Sequence, residues 1–157
     1  MADKPQSFRN VTQYCVFVDS DNLKLPVVLD ILSRNQVNRG VLYTADSARA
    51  KVVSNGLAEQ SYPVRSRSED SSVDQAAISK FNTGEIRFLT APHALVVEGA
   101  IPLVVNYDLP PDLDTYAACA ANDSGRKRIM ISLVLPSDKD RLDAMNLDIS
   151  TLVLNSG

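Results

Sequence analysis

The chain has 157 residues, 45% hydrophobic and 22% charged, with 16 Lys+Arg against 19 Asp+Glu and a net charge of -3. That balance fits one soluble globular domain and excludes a disordered tail, a collagen-like repeat and a chain that holds nucleic acid by bulk positive charge. Cys15 and Cys119, the 2 cysteines, lie too far apart for a disulfide framework, and no apolar run approaches the roughly 20 residues of a membrane span.

Residues 1–10 lack the apolar centre of a signal peptide and are expected to be a flexible segment before a domain over 11–157. With reduced cysteines as the default, the expected location is cytoplasmic. Short apolar runs then alternate with longer amphipathic stretches. Strands are predicted over 14–18, 40–44, 62–65, 86–90, 103–107 and 129–135, mostly as continuous apolar runs of the kind buried on both faces. Helices are predicted over 23–34, 47–60, 72–82, 112–122 and 137–146. Their start signals are Asp21 and Asn22, Ser47, Ser71 and Ser72, Asp112, and Ser137 with Asp140. Asn55-Gly56 weakens the second helix, since glycine costs about 1 kcal/mol against alanine in a helix interior. The alternation predicts an α/β fold, a parallel sheet flanked by helices on both faces. The polar stretch 65–72 falls between a strand end and a helix start, on the edge where open α/β sheets bind ligands.

Most familiar chemistry is absent. The first strand is followed by Asp19-Ser-Asp-Asn22, and the 6 glycines match neither a dinucleotide fingerprint nor a P-loop. His93, the one histidine, follows the predicted strand end at Thr90. With no nucleophile elbow and no paired cysteine, it reads as a loop histidine without a chemical task. The cysteines read as buried thiols, and no metal site or cofactor is expected. Arg126-Lys127-Arg128 is either a phosphate contact or a solvated turn. Arg65 and Arg67 carry the same ambiguity, partly cancelled by Glu69 and Asp70.

Val104-Val-Asn-Tyr-Asp-Leu-Pro110 is the most distinctive motif. Ahead of it come Val11-Thr-Gln-Tyr14, Val41-Leu-Tyr-Thr-Ala45, Ala76-Ala-Ile-Ser-Lys-Phe81 and Thr83-Gly-Glu-Ile-Arg-Phe-Leu89, and Tyr116 follows. In order and spacing these segments resemble the second, C-terminal RecA-like domain of DEAD-box RNA helicases over roughly residues 10 to 155. The resemblance implies a RecA-like sheet. It also implies a place in a cleft where such domains bind ATP, with arginines that stabilise charge on the transferring phosphate.

The functional positions depart from that pattern. The family's Thr-Asp pair reads Pro92-His93, and its His-Arg-x-Gly-Arg-x-Gly-Arg motif reads Ala118-Cys-Ala-Ala-Asn122-Asp-Ser124. The Gln-x-x-Arg that holds RNA reads Ser71-Ser-Val-Asp74, and Ala-Arg-Gly-x-Asp reads Val96-Val-Glu98-Gly99. Acids at Asp74 and Glu98 replace phosphate attraction with repulsion. Asp74, Pro92, His93, Glu98 and Asn122 therefore mark degenerate motif positions with no catalytic residue among them. The expectation is an inactive helicase-like domain, not an enzyme, that binds a protein partner or itself as a homodimer. Its setting would be a larger RNA-pathway protein, such as a Tudor-domain factor of the piwi-interacting RNA pathway in a ribonucleoprotein granule. Two alternatives stand beside it: residual RNA binding through Arg65, Arg67, Arg126, Lys127 and Arg128, and the second half of an active helicase.

Overall fold

Gly40–Thr44 is buried at every position, the condition for a central parallel strand covered by helices on both sides. The structure, a computed structural model, describes residues 4–35, 38–67, 70–122 and 124–153. In chain order the elements are β1 (Val11–Phe17), α1 (Lys24–Asn35), β2 (Gly40–Thr44), α2 (Ser47–Glu59), β3 (Val64–Ser66) and α3 (Ser71–Asn82). Then come β4 (Phe88–Pro92), β5 (Leu103–Asn106), α4 (Leu113–Ala120), β6 (Arg128–Val134), α5 (Lys139–Met145) and β7 (Ile149–Thr151). The strands form a 7-stranded sheet in the order β3-β4-β2-β5-β6-β1-β7, and every neighbouring pair is parallel. The α/β, RecA-like parallel sheet expected from the sequence is the fold observed.

Side chains alternate between two apolar layers. Val28, Ile31 and Leu32 of α1 and Val53 and Leu57 of α2 pack with Leu42, Val105 and Leu133 on one face. Phe81 of α3, Tyr116 and Cys119 of α4, and Leu142 and Met145 of α5 pack with Val41, Val104 and Met130 on the other. Both cysteines are free and buried. Helix α2 runs through Asn55-Gly56 without a break. A Cβ at Gly56 would lie 2.6 Å from Leu25 Cδ2, so the glycine sets how closely α1 approaches α2.

Several boundaries move for physical reasons. β1 starts at Val11 because Thr12 and Gln13 pair with Ile129 and Met130; the buried Gln13 amide donates to the carbonyls of Gln6 and Asp148, and its oxygen accepts from Tyr116. β3 starts after Pro63, which has no N–H to donate and whose carbonyl takes the N–H groups of Arg87 and Phe88. α2 and α3 are capped by Asp46 and Asp70, each one residue ahead of the serines expected to do so, while Asp112 caps α4 as predicted. β7 was not predicted at all. Within the segment ahead of β1, Gln6 bridges to Leu147, its N–H donating to the Asn146 carbonyl and its carbonyl accepting from the Asp148 N–H. Glu69 lies outside the described residues. Among them, no helix is long and apolar enough to cross a membrane.

Candidate functional site

Helix N-termini and strand C-termini share one edge of a parallel sheet, and there β5 delivers Asn106, Tyr107 and Asp108. The Asp108 carboxylate accepts from Lys24 Nζ at 2.8 Å, from Arg49 Nε and Nη2 at 2.7 Å each, and from the Ala45 N–H at 2.8 Å. Arg49 also reaches Asp21 at 2.7 Å, and Lys24 reaches it at 3.3 Å. The cations lie 5.5 Å and 5.6 Å from the Tyr107 ring centroid. Burial pushes the Asp108 carboxyl up, but the hydrogen bonds from Arg49, Lys24 and Ala45 outweigh it and leave it at about 2. The same bonds raise the Arg49 guanidinium. Two acids and two bases thus satisfy one another where the ends of β1, β2 and β5 meet. Lys24 and Arg49 are additions to the residues singled out from the sequence, while Asp21, named there as a helix start signal, pairs with both of them; as a site, only the Asn-Tyr-Asp motif signalled this cluster.

Arg67, just past β3, closes on Asp74 of α3 and donates through Nη1 to the carbonyls of Leu95 and Val96 at 3.2 Å and 3.1 Å. The Val97 N–H donates to the Tyr43 hydroxyl at 2.9 Å. The segment after β4 is therefore fastened from inside. His93, expected as a loop histidine, stands at the start of that segment, 6% exposed and stacked on Tyr43 at 6.1 Å. Its Nε2 and Asn106 Oδ1 are buried side-chain atoms without a hydrogen-bond partner among the described residues. Pro92 ends β4 and is fully packed.

Glu98 is exposed and joins Val96, Val97, Gly99, Ala118, Ala121 and Ser124 around a cavity of about 430 Å³. This cavity lies between the segments that resemble the helicase arginine motifs, and the charged residue in its lining is an acid. Asn122 is a turn keystone: its amide donates to the carbonyls of Arg126 and Asn10, and its oxygen accepts from the Ser124 hydroxyl at 2.6 Å.

The residues proposed to touch RNA are not one surface. Arg128 is 3% exposed, with its guanidinium spread over the carbonyls of Ile101, Ala120, Ala121 and Gly99, so no face of it is left for a phosphate. Arg67 is spent on Asp74 and the 95–96 carbonyls. Arg65 is exposed on the edge strand β3, whereas Arg126 and Lys127 precede β6. With β4, β2 and β5 lying between those strands, a spacing of about 4.8 Å each puts them about 19 Å apart. Among the described residues, no His, Cys, Asp and Glu cluster could hold a metal ion.

The fold is that of the C-terminal RecA-like domain of DEAD-box helicases. Among solved structures, the C-terminal domain of the DEAD-box protein Dbp5 superposes with a TM-score of 0.81 at 19% identity, over 90% of this chain and 89% of that one. Escherichia coli SrmB bound to the regulator RraA gives 0.80 at 22% identity, over 92% and 91%. Saccharomyces cerevisiae Dbp5 bound to Gle1 gives 0.84 at 18%, over 99% of this chain and 45% of that one. By sequence the chain is similar to the ATP-dependent RNA helicase FAL1 of Meyerozyma guilliermondii, 23% identical over 154 residues, 94% of this chain and 39% of the relative. It is likewise similar to the ATP-dependent RNA helicase eIF4A of Schizosaccharomyces pombe, 26% identical over 141 residues, 84% and 36%. The chain therefore spans a little over a third of the length of the curated relatives it matches. No family model matches it.

Proposed function

We propose that this is a helicase-like domain without ATP turnover that acts as a protein-interaction module within a larger RNA-pathway protein. The observation that carries the reading is Asp74. It stands where the resemblance places an RNA-holding arginine, and its carboxylate neutralises Arg67, the neighbouring cation. Glu98 repeats that departure at the second RNA-holding segment, and the arginine-free 118–124 segment extends it to the ATP side. Solved proteins of this fold are found with protein partners: Dbp5 with Gle1 and Nup159, and SrmB with RraA. A partner protein or a second copy of the chain would take the corresponding role here.

The test is RNA-stimulated ATP hydrolysis by a longer protein containing this chain. The module reading expects no hydrolysis that depends on this domain. Hydrolysis that disappears on Arg126→Ala would overturn it in favour of an active helicase half. Light scattering of the 157-residue chain across concentrations separates the partners: a growing dimer fraction supports self-association, and a constant monomer leaves a different protein.

A further inference from the structure

On the strand C-terminal edge, Lys24 and Arg49 are matched by Asp21 and Asp108, Arg67 by Asp74, and Arg141 by Asp138. The opposite edge differs. Arg39 stands just before β2, and Arg126 and Lys127 just before β6. They converge with Ala100, Ile101 and Pro102, the approach to β5, on a pocket of about 280 Å³. Every ion pair among the described residues leaves these three cations out.

The pocket is organised in advance. Arg39 Cζ lies over the Phe81 ring, 3.6 Å from its centroid, and Nη1 donates to the Phe81 carbonyl. Arg39 is half-buried there, and burial draws its guanidinium below the usual range. Ile101 is 2% exposed, and its carbonyl is held from below by Arg128 Nε at 2.9 Å, so the wall is fixed and a further cation lies beneath it. Such a convergence of like charge is unfavourable until an anion enters.

The shape also selects the anion. Among the described residues no aromatic ring lines the pocket, so it lacks the aromatic platform on which single strands stack successive bases. A phosphate monoester carries about -1.5 to -2 charges and three acceptor oxygens, a match for cations arriving from separate segments. A phosphodiester offers one charge per group and rewards an extended stripe. We propose that Arg39, Arg126, Lys127 and the 100–102 wall bind a phosphate monoester dianion, free or carried on a phosphorylated side chain of a protein. The site is independent of whether the domain turns over ATP.

The experiment is an NMR titration of the 157-residue chain at physiological salt with inorganic phosphate, a phosphoserine peptide, the same peptide unphosphorylated, and a single-stranded RNA oligonucleotide. The expected result is movement of the amides of Ala100, Ile101, Arg126 and Lys127 with phosphate or phosphopeptide and none with the unphosphorylated peptide. Arg126→Glu with Lys127→Glu, both exposed, should weaken binding at least tenfold at an unchanged urea midpoint, while Arg65→Glu leaves it alone. Tighter binding of the phosphopeptide assigns the site to a phosphorylated protein, and equal binding assigns it to the free anion. Overturning results are no shift at 100–102 with either phosphate, full affinity in the double variant, or tighter binding of the RNA than of both phosphates.

Discussion

Arg67 and Asp74 meet at two points, Nε to Oδ1 at 3.0 Å and Nη2 to Oδ2 at 2.8 Å, with side chains only 14% and 15% exposed. Through this contact α3, the end of β3 and the segment after β4 act as one unit. Asp74→Ala removes the carboxylate and leaves a largely buried guanidinium with only carbonyl partners. The expected loss is about 2 kcal/mol, between the worth of a surface pair and the cost of breaking a buried one. Asp74→Arg should lose more, because two guanidinium groups then face each other. Urea denaturation checks both, and an unchanged midpoint for Asp74→Ala would show that the pair does not hold the segment.

Asp108 gives the domain an acid-sensitive point. Its folded value of about 2 lies below the ordinary 3.8, so the associated stability is complete above pH 4 and is lost as pH falls through 2. That shift corresponds to about 2 kcal/mol. Asp108→Asn should cost about 3 kcal/mol at neutral pH, because Lys24 stays buried with less to pair with, and should flatten the stability profile between pH 4 and 2. Denaturation midpoints at pH 4, 3 and 2 for both proteins decide the matter.

His93 works in a higher window. Burial holds its imidazole below the ordinary 6.5, outweighing the pull of the Asp108 backbone. Since the unfolded chain takes up the proton more readily, stability is full above pH 6.5 and falls as pH drops toward the folded value. His93→Phe keeps a ring on Tyr43 and removes the partnerless Nε2. The variant should match the parent within about 1 kcal/mol at pH 8 and lack the decline between pH 6.5 and 5. Thermal unfolding across that range is the measurement, and an equal decline in both proteins would assign it to another group.

Arg128 separates scaffold from surface. Arg128→Lys replaces the fork that serves the carbonyls of Ile101, Gly99, Ala120 and Ala121 with a single ammonium, at an expected cost of about 3 kcal/mol. Arg126→Ala and Lys127→Ala, both exposed, should stay within about 0.5 kcal/mol. Equal stability across the three variants would return Arg128 to the surface group.

The fold was legible where burial leaves a continuous apolar run. β2 has its predicted bounds of 40–44, and the helices lie within a few residues of their expected ranges. β7, with Ile149, Ser150 and Thr151, is too short and too polar to leave a periodic signal, and its existence depends on pairing with β1. The candidate site was legible in kind but not in detail. Arg126-Lys127-Arg128 reads as one charged run, yet the strand that begins at Arg128 turns that side chain inward. Arg67 and Asp74 were singled out separately, since only the packing of α3 beside the end of β3 brings them into contact. Arg39 gave no signal because its neighbours in the pocket come from distant parts of the chain.

The strand order has a mechanical consequence. β1 and β7 lie side by side and run the same way, so tension applied through the residue before β1 and the residue after β7 slides one along the other. The rungs at Gln13, Tyr14 and Cys15 are then strained together and do not open one after another like a zip. As a link in a longer polypeptide, the domain would yield abruptly at β7 under load, while β1 keeps its full-length pairing with β6.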